Sequence, residues 1–135
     1  MATFNKINSF VEALSEKVHN LGSDQLMVAL SNSAPSSSNT QLSNITEITY
    51  TNLSSRVITT TSSAQTSGTY KLVLTDLVLT ASGAVGPFRY VVLYNNTATN
   101  KELIGWYDYG SALTMANTDT LTIDFDGTNG ILTLA

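Results

Sequence analysis

The stretch DFDGTNGILTLA, residues 124–135, places two aspartates, an asparagine and two glycines in its first seven positions, the composition of a calcium loop. An EF-hand loop starting at Asp124 needs glycine at its sixth place and a bidentate glutamate at its twelfth. Those places hold Asn129 and Ala135. A turn explains every residue instead: DGTNG reads as a hairpin connection between two apolar strands, with Gly127 and Gly130 free to take positive φ. No metal is expected there.

Other side chains are weighed in the same way. Asp124 and Asp126 point to one face of a strand, about 7 Å apart by strand rise, but both should be solvated. Neither then has the raised pKa that a glycosidase acid requires. The single histidine, His19, falls on the polar side of a helix near its end, with Glu12, Glu16 and Asp24 read as solvated charges. Catalysis needs a nucleophile or an orienting carboxylate beside it, and neither is evident. GWYDYG, residues 105–110, concentrates Trp106, Tyr107 and Tyr109, and alternation sends the two tyrosines to one side and the tryptophan to the other. These aromatics read as core or subunit contact, with a carbohydrate platform as the alternative. Asp108 shares its face with Trp106, and Arg89 stands in an apolar strand, so the two are expected to pair. The candidates for an interface are Pro35, Arg89, Trp106, Tyr107 and Tyr109; catalytic, cofactor and metal sites are expected to be absent.

The chain has 135 residues, 42 % hydrophobic and only 12 % charged, which suits one domain with a real core. Serine and threonine, roughly a quarter of the residues, replace the missing charges. Net charge is −4 and no basic cluster exists, so no stripe is available for phosphates and nucleic acid is not an expected partner. There is no cysteine. MATFNKINSF lacks the apolar core of a signal peptide, and no apolar run approaches membrane-spanning length; a product made and kept soluble in a cytoplasm is expected. On that expectation the sequons at Asn44, Asn52 and Asn95 are not glycosylation sites.

The elements that must carry these residues follow from periodicity. Phe4, Ile7, Phe10, Val11, Leu14, Val18 and Leu21 lie at steps of three and four, which predicts one amphipathic helix of about five turns over residues 3–21. Thr3 can cap its start and Gly22 can follow its end. Beyond Gly22, short Thr- and Val-rich runs predict strands at 25–31, 45–51, 56–62, 69–81, 88–95, 102–109, 119–126 and 130–135. In YKLVLTDLVLT the inner face changes from even (Leu72, Leu74) to odd (Leu77, Leu79), which predicts a β-bulge near Thr75–Asp76. RYVVLYN, apolar on both faces, reads as a central strand. The polar stretch from Ser31 to Asn44 reads as a flexible arm or loop. The fold class is mainly β: a jelly-roll-like β-sandwich or barrel over residues 25–135, with the N-terminal amphipathic helix laid on it, in a single domain.

Beyond the residue-by-residue reading, GPFRYVVLYNNT and LIGWYDYG, with FNKINSFVEALSEKVHNLGSDQLMVALSNSAP and ITEITY, resemble a family of small structural proteins encoded in tailed-bacteriophage genomes. The likeness covers nearly the whole chain. It departs after ITEI, where the family segment is glycine-rich and this chain has TYTNLSSRVITTT. The family's size, acidic surface and jelly roll are similar to those of capsid decoration (cement) proteins. The resemblance implies a non-enzymatic virion component on the outer capsid surface, bound to the major capsid protein and forming a dimer or trimer. A tail- or fibre-associated sandwich, sugar-binding, is the alternative.

Overall fold

In the computed structural model, which describes residues 2–135, the two-sided apolar run RYVVLYN lies in the middle of a sheet. The strands are β1 (Asn5–Lys6), β2 (Leu26–Ser31), β3 (Val57–Ile58), β4 (Thr60–Thr66), β5 (Thr69–Leu74), β6 (Leu77–Thr80), β7 (Val85–Asn95), β8 (Leu103–Met115), β9 (Thr120–Ile123) and β10 (Leu132–Leu134), and the one α-helix is α1 (Phe10–Ser15). The protein is mainly β with antiparallel sheets. One sheet has the order β1-β8-β7-β2-β3, a second β10-β5-β4, and a third β6-β9. Val91, Val92, Leu93 and Tyr94 of β7 are all buried, as a strand covered on both faces requires. Leu72 and Leu74 of β5, Leu79 of β6 and Ile123 of β9 pack into the same apolar cluster as Val28, Leu30 and Ile104, so the three sheets share one core.

The helix is much shorter than its periodicity predicts. Ile7 is fully buried, but its N–H goes to the Ile104 carbonyl at 3.0 Å, and Asn5–Lys6 pair with Trp106 and Gly105 as a strand. The expected cap, Thr3, therefore lies before a strand. At the other end Lys17 takes φ 68, and Val18 N–H returns to the Ala13 carbonyl at 2.8 Å. That is the closure of a Schellman motif, with Lys17 in the position expected for Gly22. Apolar spacing of three and four thus continues through two non-helical segments because both ends are tied down by the sheet and by the turn.

The register change at Thr75–Asp76 is real, but its cause is not a bulge. β5 ends at Leu74 in one sheet and β6 begins at Leu77 in another, so the chain turns from sheet to sheet and the inner face is reset in passing. DGTNG is likewise a turn but not a hairpin: β9 pairs with β6 and β10 with β5. Gly130 has the positive φ expected of it, 77°, while Gly127 does not need one. Residues 45–51 form no strand. Together with Arg56 they instead cover the outer edge of β2: Ile48 N–H reaches the Leu30 carbonyl, the Tyr50 hydroxyl accepts from Leu30 N–H at 2.9 Å, and Arg56 donates to the Val28 carbonyl at 2.6 Å while stacking on the Tyr50 ring. Burial pushes the Tyr50 hydroxyl pKa upward, so it remains a neutral donor to Glu47. Residues 31–44 are a loop and not a free arm, since Asn8 N–H bonds the Ser37 carbonyl and Leu103 N–H the Thr40 carbonyl, with a 3-10 turn at Leu42–Asn44.

Close approach of β1 to β8 has a measurable requirement. A Cβ on Gly105 would meet the Phe4 ring and lie 2.6 Å from the Asn5 carbonyl oxygen, whereas one on Gly127 would meet nothing within 4 Å. Gly105→Ala should therefore displace β1 and cost about 1–3 kcal/mol in urea unfolding, and Gly127→Ala about 0.5 kcal/mol or less. Equal midpoints for the two variants would show that β1 is not packed as described.

Candidate functional site

Two places bring polar chemistry together. The first is centred on Asn95, the last residue of β7, which is fully buried. Its side-chain oxygen accepts from the N–H groups of Thr97 (3.0 Å) and Ala98 (3.2 Å), which fixes the orientation of the amide. Its nitrogen must then donate, and it faces Asp24 Oδ2 at 2.6 Å and His19 Nδ1 at 3.0 Å. His19 Nδ1 is consequently an acceptor, and the ring proton sits on Nε2. Asp24 Oδ2 also accepts from Asn20 N–H at 2.8 Å, closing the turn that leads into β2.

His19 is 4 % exposed, so the sequence reading of it as a solvated helix residue is overturned. Because α1 stops at Ser15, the chain turns inward and places the imidazole against the Phe10 ring, with centroids 5.2 Å apart. Asp24, half-buried and bonded to Asn95, is not an ordinary solvated charge either. Among the described residues, two buried side-chain atoms have no hydrogen-bond partner, His19 Nε2 and Glu102 Oε2. Burial lowers the His19 pKa from 6.5, against the opposing pull of Glu102 and then Asp24. A groove of about 740 Å³ opens beside this cluster, lined by Lys17, His19, Asp24, Tyr70 and Leu134 among others. The hydrogen-bond partner of the imidazole is an amide and not a hydroxyl, so the arrangement braces the turns around it; no nucleophile is activated by it.

The second place is the outer part of the β7–β8 pair. Arg89 and Asp108 form the expected pair in bidentate geometry, Nε to Oδ1 at 2.7 Å and a second guanidinium N–H to Oδ2 at 3.0 Å. The Arg89 guanidinium, helped by Gly110 N–H, holds the Asp108 carboxyl below its usual pKa. Tyr107 is 8 % exposed and packs between Phe4 and Phe125; burial, with Asp124 and Asp126 nearby, pushes its hydroxyl pKa up to about 12. Trp106 is half-buried on the opposite side, and Tyr109 is 54 % exposed. The three aromatics therefore share no open platform. Tyr109 instead rims a small groove of about 190 Å³ between β8 and β9, floored by Val91, Tyr107 and Leu121. Pro35 is half-buried in the 31–44 loop, remote in sequence from these residues.

No family model, curated protein or solved structure matches this chain. The site must be judged on its own geometry.

Around Asp126 the carboxylate is occupied by its own loop: Oδ1 accepts from Thr128 and Asn129 N–H at 2.9 and 2.7 Å, and Oδ2 from the Asn129 side chain at 2.9 Å. The calcium-like composition is thus used for turn capping. Sequence reasoning missed Asn95, although Asn-x-Thr after an apolar strand is an Asx-turn signal.

The His19 cluster has a pH signature. With its folded pKa below 6.5, His19 stays neutral in the folded protein while the unfolded chain already takes up a proton. Stability should hold above pH 6.5 and fall as pH drops below it, before carboxylates titrate. The urea midpoint measured at about pH 7.5 and about pH 5 should differ in the wild type, and His19→Gln should flatten that difference. An unchanged slope in the variant would remove His19 from this role.

Proposed function

We propose that the protein is a non-enzymatic virion structural component, a decoration (cement) protein that binds the outer surface of a major capsid protein lattice and stabilises the head. It is made in the host cytoplasm and acts as a dimer or trimer on the particle. The observation that carries this reading is the β8–β9 groove. It pairs an apolar floor, Val91, Tyr107 and Leu121, with an exposed aromatic rim, Tyr109.

Interfaces of this kind place an aromatic anchor among contacts that exclude water, with polar groups at the margin. The remaining surface is poor in charge and rich in hydroxyls, so docking strips few ions of water. Repetition over a shell makes modest affinity per copy sufficient when each copy bridges several subunits. A net charge of −4 suits the outside of a DNA-filled container better than its inside. The finer architecture, a jelly-roll-like sandwich or barrel, goes with this reading: three sheets around one apolar cluster can serve as the two layers of such a body.

Cryo-electron microscopy of the native particle should place density for a 14.4 kDa module on the head exterior. Tyr109→Ala, exposed and so neutral for folding, should weaken binding to stripped heads on the order of tenfold or more in a co-sedimentation assay. Density confined to the tail, or protein that never co-purifies with particles, would overturn the assignment.

A further inference from the structure

β4 is the longest of the strands that end a sheet, seven residues against two for β1 and β3, three for β10 and four for β6 and β9. It pairs only with β5, and Thr61, Ser62, Ala64, Gln65 and Thr66 are exposed. Edge strands are ordinarily guarded by lysine, proline or a bulge. Here an irregularity between Thr60 and Ser62 guards the start, but Ser62–Thr66 is regular, and no charged residue or proline occurs between Arg56 and Lys71.

The outward groups can be assigned. Ser67 and Gly68, both at positive φ, make a two-residue hairpin loop, so the flanking Thr66–Thr69 pair is of the hydrogen-bonded kind. Alternation then leaves Gln65 and Ser63 with their N–H and C=O directed away from β5. The opposite strand agrees: the carbonyl of Leu72, which stands across from Ser63, is taken by Ile131 N–H of the β10 side.

We propose that this edge pairs antiparallel with β4 of a second copy, about a two-fold axis through Ala64, joining two three-stranded sheets into one. Ser63 then lies opposite Gln65 of the second copy and the reverse, and each pair exchanges N–H···O bonds. The occupant follows from charge. In an isologous pairing each side chain near the axis meets its own copy, so a charge of either sign would repel itself. A hetero-partner imposes no such condition, since a charge on β4 could then be matched. A charge-free run of this length in a chain with ten acidic and six basic residues meets the condition that self-pairing sets. This inference is independent of the capsid reading, because the pairing needs no particle.

The test is the association state of the purified chain across a wide concentration range, by sedimentation equilibrium. The wild type should show a reversible monomer–dimer equilibrium, with amide exchange at Ser63 and Gln65 slowing as concentration rises and that at Ala64 unchanged. Gln65→Pro removes an outward N–H that β5 does not use, a substitution an edge strand tolerates, and should weaken the dimer on the order of tenfold or more. Ala64→Lys keeps the backbone intact and sets like charges face to face at the axis, with Lys71 of each hairpin adding to the repulsion; it should weaken the dimer similarly, while the thermal midpoint at low concentration falls only slightly, through the contact of the introduced lysine with Lys71 of its own hairpin. A wild type that stays monomeric throughout, or variants that dimerise as tightly as the wild type, would overturn the proposal. Neither result bears on whether the module is found on heads.

Discussion

One buried amide holds the end of the central sheet together. Asn95 closes the turn after β7 through its oxygen and, through its nitrogen, ties down both the segment after α1 and the turn before β2. A buried amide group without partners costs about 1–3 kcal/mol, and here both ends are satisfied. The three segments it joins come from distant parts of the chain, so their relative positions depend on a single side chain. The inward turn of His19, the depth of the groove beside it and the alignment of β2 against β7 all follow from that constraint.

How much of this was legible depends on whether a feature is local. The alternation in DTLTIDFD and the two-sided apolar run in β7 depend only on neighbouring residues; the run lies within β7, while the strand expected over 119–126 is confined to Thr120–Ile123. The Arg89–Asp108 pair was also legible, because a barely charged chain leaves few choices of partner. The helix was overestimated for a definite reason: Ile7 and Leu21 are buried at steps that fit a helix, yet both lie outside α1, Ile7 next to β1 and Leu21 in the turns before β2. The parity change in YKLVLTDLVLT announced a reset of the inner face, but parity alone does not separate a bulge from a move between sheets. Asn95 was hidden because a polar residue at a strand end looks like any other turn residue until its donors and acceptors are counted.

The two polar places divide the labour between them. The Asn95 cluster lies inside and serves the fold, consistent with an imidazole nitrogen that accepts from an amide whose nitrogen also donates to the Asp24 carboxylate. The β7–β8 surface lies outside, and its charges are already matched to one another. A module that presents hydroxyls, a tyrosine and a neutralised ion pair has the means to bind by shape. Such binding depends weakly on ionic strength, because screening acts on unmatched charges and few are offered.

The pairing of β2 with β7 has a further consequence for how the chain is made. Leu26 meets Asn95 and Ser31 meets Tyr90, so the apolar run LMVAL waits for a partner encoded some sixty residues later. At synthesis rates of roughly 5–20 residues per second, that wait lasts several seconds. Non-local pairing of this sort is also slow once the chain is complete. The 45–56 segment, which emerges sooner, bonds the opposite edge of β2 through Ile48, Tyr50 and Arg56, so the edge that faces β7 stays unpaired until residues 90–95 have followed.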